Sequence, residues 1–179
     1  MHANQTRPIS LHGSIQVLQG IQKNQQLSFY LGFLLLVVIL GMQLVELHWV
    51  WLSTLQANEL YKRWSGFGLL LYIAAQWYLS ALRIHGKTEA AKRHYQIHKQ
   101  LGILATLVFY LHSMKLGYAY LLLLSIVYLA NVAVGLCNRE FVKIKNERFM
   151  YYWMIVHVAL SVCTVALAIY HLFIVFYYE

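Results

Sequence analysis

Proline is almost missing from this chain. The single residue, Pro8, precedes every long apolar run, so no ring constraint interrupts the helices that follow. Cysteine is scarce too. Cys137 and Cys163 fall at a span end and in mid-span, which excludes a disulfide framework. Acidic residues number 6 against 14 Lys and Arg. No cysteine or carboxylate stands where it would complete a tetrahedral zinc site with the histidines. Long polar stretches are also lacking, which leaves no room for a soluble catalytic domain within these 179 residues.

What is present is apolar. Hydrophobic residues make up 60% of the chain, and mean hydropathy is +0.55. That profile belongs to an all-α, polytopic membrane protein. Residues 1–27 read as a polar leader, with Ile15, Val17, Leu18 and Ile21 able to form a short interfacial helix. Residues 28–179 read as a five-helix domain with spans near 28–51, 65–84, 98–117, 118–137 and 150–177. A tight turn is expected at "KLGY", where Gly117 can adopt positive φ.

The net charge of +8 is not read as a nucleic-acid signal. Arg83, Lys87, Lys92, Arg93 and Lys99 cluster before the third span, and Arg139, Lys143, Lys145 and Arg148 before the fifth. Arg7 and Lys23 lie in the leader, on the same side. The positive-inside rule then puts the N-terminus in the cytoplasm and the C-terminus outside, in the plasma (inner) membrane.

Within the apolar runs stand histidines. "HKQLGILATLVFYLH" covers residues 98–112, and "HVALSVCTVALAIYH" covers 157–171. Each has a histidine at both ends, 14 residues apart. That spacing brings a helix back to within about 40° of one face, with a rise of about 21 Å. On neighbouring co-directional spans His98 can meet His157, and His112 can meet His171. Two facing neutral imidazoles in an apolar setting are the axial ligand set of a b-type haem iron, so two haems are expected at two depths. Gly102, Ala105, Ala159 and Ala168 leave room for a macrocycle. The alternative is a set of polar contacts between helices with no metal.

His94 shares the face of His98 and could replace it, although only His98 reproduces the spacing of the fifth span. His48 and His85 read as interfacial, His2 and His12 as solvated. Lys92, Arg93 and Lys99 on the inner side, and Lys62, Arg63 and Lys115 on the outer, are candidates to meet haem propionates or simply to anchor the interface. Phe109 lies between the two levels.

Paired histidines on the third and fifth spans, with a basic cytoplasmic loop before the third, resemble the ferric reductase-like transmembrane domain. That domain is shared by iron reductases and NADPH oxidases. The resemblance covers about residues 28–178 and rests on His98, His112, His157 and His171. It implies two stacked haems carrying electrons across the membrane. Family members usually add a sixth span and a flavin and nicotinamide domain. Neither is read in this sequence, so redox partner subunits or a soluble donor and acceptor are expected. A second resemblance is to the cytochrome b of quinol–cytochrome c oxidoreductases, which keeps a quinone-linked role open. The remaining alternatives are a stand-alone reductase of an outer acceptor and a haem-free structural subunit.

Overall fold

The computed structural model describes residues 11–137 and 146–178, with side chains at residue 27 and from residue 29 onward. Pro8, His2, Arg7, Arg139, Lys143, Lys145 and Glu179 lie outside the described residues, and the side chains of His12, Ile15, Val17, Leu18, Ile21 and Lys23 are likewise not described. The described residues form six helices and no strand: α1 Leu11–Leu44, α2 Val50–Ala57, α3 Glu59–Ile84, α4 Thr88–His112, α5 Tyr120–Leu136 and α6 Glu147–Tyr178. Two of them, α3 and α6, are long and apolar enough to cross a membrane. Phe29–Leu44 and Tyr120–Leu136 are shorter apolar helices.

Each helix begins and ends for a local reason. The Asn58 side chain accepts the Tyr61 amide and caps α3, and Glu59 meets the positive end of its dipole. At the other end Gly86, with φ 67°, closes a double-bonded turn. The Lys87 amide donates to the Leu82 carbonyl and the Gly86 amide to that of Arg83. The same closure ends α1, where Leu47 donates to Met42 and Glu46 to Gln43. Here Glu46 occupies the left-handed position, φ 52°. Hence the first span expected to run from 28 to 51 stops at Leu44. Val50 and Trp51 belong instead to α2, a short helix the sequence reading did not anticipate. Residues 11–27, expected as a separate leader, are continuous with α1.

Gly117 takes φ 78° in the turn before α5, as the spacing predicts, and Ala119 follows at φ 52°. The third expected span, 98–117, is displaced toward the N-terminus. Its polar start "TEAAKRHYQIHKQ" is helical, and the helix ends at His112. A partner helix closes that end. The Gln56 amide donates to the Tyr110 and Leu111 carbonyls at 2.9 and 3.0 Å, and its oxygen accepts the Met114 amide at 3.0 Å. The Tyr61 hydroxyl adds a bond to Leu111 at 2.8 Å. These groups satisfy carbonyls that a helix C-terminus leaves without partners. Gln56→Leu should leave the Tyr110 carbonyl and the Met114 amide without this partner and lower stability by about 1–3 kcal/mol, read from thermal unfolding in detergent.

α3 packs against α4 and α5 against α6 as antiparallel neighbours, while α1 runs parallel to α4 and antiparallel to α5 and packs on both. The main cluster joins Phe29 and Leu36 of α1 to Ile103, Ala105 and Phe109 of α4 and Tyr128, Leu129 and Leu136 of α5. Gly32 permits the approach of α1, since a Cβ there would stand 2.7 Å from the Leu136 side chain. Of α6, only Thr164 is buried, and Val156, Ile169, Phe173 and Phe176 are exposed and do not line the central cavity.

Candidate functional site

α4 and α6 were expected side by side. They share little direct contact, and α5 packs against both. Between them, reaching α1 and α3, lies a cavity of about 1110 Å³. That is at the upper limit of ordinary cofactor and ligand pockets, about 300–1,000 Å³. His98 and His157 both line it. Their ring centroids are 6.3 Å apart and their planes cross at 80°. A metal held in line by two imidazole nitrogens, with bonds of about 2 Å and about 1.1 Å from nitrogen to ring centre, sets the centroids about 6.2 Å apart. The inner pair is therefore spaced as bis-imidazole ligation requires.

Polar atoms around the cavity are left wanting. The Nδ1 atoms of His98 and His157 are buried and make no hydrogen bond of normal geometry, although the backbones of Gln76 and Asn131 lie beside them. The Gln76 amide and Asn131 Oδ1 are also buried without partners of normal geometry, and both residues line the cavity. An apolar chamber with a few convergent polar groups suits a large, flat, amphipathic group such as a haem.

His157 is fixed from two sides. Trp153, one turn earlier, stacks on its ring at 5.7 Å and 9°, and the Trp153 indole donates to the Val134 carbonyl at 2.8 Å. On the other helix a Cβ at Gly135 would stand 3.0 Å from the His157 ring. Gly66 of α3 makes the same approach to His112, again 3.0 Å from an added Cβ to the ring. Thus one inner and one outer histidine each lie on bare backbone of the preceding helix.

The outer pair is held by hydroxyls. Ser65 Oγ is 3.1 Å from His112 Nδ1, and the Tyr120 hydroxyl is 3.5 Å from His171 Nδ1. His112 and His171 lie within electrostatic reach of one another. Between the two levels Phe109 stacks on Tyr128 at 5.3 Å. The Tyr128 hydroxyl donates to the Ala105 carbonyl, and that of Tyr72 to Leu101. Two tyrosines from flanking helices thus pin successive turns of α4.

The expected cations divide. Lys99 lines the cavity, 5.1 Å over the Tyr95 ring, as does Arg83, which the sequence reading left in the loop. Lys92 and Arg93 are exposed and do not line it; Lys92 pairs with Glu89 at 2.8 Å. Lys62, Arg63 and Lys115, the cations expected on the outer side, are all exposed. His94 does not line the cavity and meets Tyr78 edge-on at 4.9 Å, so His98 is the residue that faces His157. Gly102 and Ala105 line the cavity as expected. Ala159 is exposed, about 200° around α6 from His157, and does not.

The sequence reading missed Ser65, Gly66, Tyr120 and Gly135. Glycine or serine in an apolar run carries no functional signal until its opposite number is known. No family model, curated protein or solved structure matches this chain.

Proposed function

We propose that the chain is a five-span, di-haem b-type cytochrome that carries electrons across the plasma (inner) membrane as part of a larger redox assembly. The observation that carries this reading is the His98–His157 pair, 6.3 Å apart at the wall of a large, mainly apolar chamber. The five spans are α1, α3, α4, α5 and α6. Their outward apolar surfaces, rich in Leu, Val, Phe and Tyr, suit a lipid surround.

His98 and His157 would hold the inner haem, His112 and His171 the outer one. Bound there, a b-type haem supplies one-electron cycling of its iron. The chain does the rest. Gly66 and Gly135 let the ligand rings lie close to backbone, and Trp153 fixes one ring plane. Arg83 and Lys99 offer positive charge to propionates at the inner mouth. The buried Phe109–Tyr128 stack would fill the space between the two levels. Donor and acceptor are redox partners in the membrane or in solution, and a quinone is one candidate.

A reduced-minus-oxidised absorption spectrum with a haem count tests the reading. Two low-spin b haems per purified chain are expected. A colourless protein would favour the structural-subunit alternative.

A further inference from the structure

His112 makes one hydrogen bond among the described residues, from Nδ1 to Ser65 Oγ at 3.1 Å. The same Ser65 hydroxyl lies 3.2 Å from the Lys62 carbonyl, one turn back along α3. A serine hydroxyl has a single hydrogen. A carbonyl can only accept, so if that hydrogen serves Lys62, the Ser65 oxygen must accept from His112. The chain of bonds then runs in one direction: His112 Nδ1–H to Ser65 Oγ, and Ser65 O–H to the Lys62 carbonyl. In that arrangement the histidine proton would reside on Nδ1. Nε2 is left with its lone pair, the form in which an imidazole binds a metal.

We infer that Ser65 is a positioning residue that sets the tautomer of His112 and so prepares Nε2 as a ligand. Gly66, its neighbour, supplies the other half of the seat, because an added Cβ would stand only 3.0 Å from the ring. The "SG" at 65–66 is then one device: a hydroxyl that selects the proton position and a bare backbone that admits the ring. The ligand role of Nε2 rests on the di-haem reading; the tautomer does not.

The test uses the full-length chain in detergent, with ¹⁵N-labelled histidine, before and after addition of haemin. The His112 signals are assigned by their loss in His112→Asn. Before haemin, His112 should show the Nδ1–H tautomer in wild type and in Ser65→Thr, which keeps the hydroxyl. Ser65→Ala should move it toward a tautomer mixture and weaken haemin binding at one of two sites by about 10-fold or more. An Nε2–H tautomer in the wild type, or a Ser65→Ala spectrum identical to it, would overturn the inference. Should the tautomer shift appear while the wild type takes up no haemin, the role of Ser65 in setting the proton stands and the di-haem reading falls.

Discussion

His98→Ala should abolish the inner haem and leave the outer one, halving the b-type absorbance per chain. His112→Ala should do the converse. On the di-haem reading, each substitution would remove one of the two imidazoles that hold a haem, at a site that offers no nearby replacement. His94 is the only other histidine near His98 on α4, and it lies edge-on to Tyr78 and away from the cavity. His94→Ala should therefore retain both haems, with at most a shift in stability. The separate loss of two spectral components, with distinct midpoint potentials, is the readout. If His98→Ala keeps full haem content and His94→Ala loses half, the ligand assignment on α4 is reversed.

Gly135→Val should have an effect of similar size without replacing any of the four histidines. Even a single added Cβ would stand 3.0 Å from the His157 ring, tighter than ordinary van der Waals contact. Valine adds two methyl groups on a β-branched, stiff side chain. The ring cannot retreat easily, because Trp153 stacks on it and is itself tied to the Val134 carbonyl. The ring must tilt or α6 must move off α5. Either change spoils the 6.3 Å spacing to His98. Loss of the inner haem signal with helical content preserved by circular dichroism is the expected result. Gly135→Ala should be milder, since a shift of a few tenths of an ångström relieves the contact. A Gly135→Val protein with an unchanged spectrum would show that the seat is not needed.

The four histidines were legible in the sequence because helical periodicity alone relates residues 14 apart. What lies across from them was not. Gly66 meets His112 and Gly135 meets His157 through contacts between different helices, and no local pattern encodes them. The inner cations divided in a more instructive way, since Lys99 lines the cavity while its neighbours do not. Lys92 and Arg93 are close to His98 in sequence but lie about 120° and 140° around the helix from it, and both are exposed. Arg83, fifteen residues before His98, reaches the cavity from the end of α3. Nearness along the chain misled where rotation decided. The first span ran too long for a different reason. Its stop signal is a left-handed Glu46, where glycine usually stands, so composition gave no warning. The start of α4 was missed because hydropathy marks apolar residues, whereas the polar first turns of that helix owe their form to propensity and packing.

The two tyrosine hydroxyls bound to α4, from Tyr72 to Leu101 and from Tyr128 to Ala105, have a mechanical meaning. They hold one rod from both sides at adjacent turns, so it can neither slide nor rotate without losing both. His98 and His112 are both mounted on that rod, so on the di-haem reading its position sets the depth of both cofactor sites. The clamp would then keep each α4 histidine in register with its opposite number on α6 while the surroundings fluctuate.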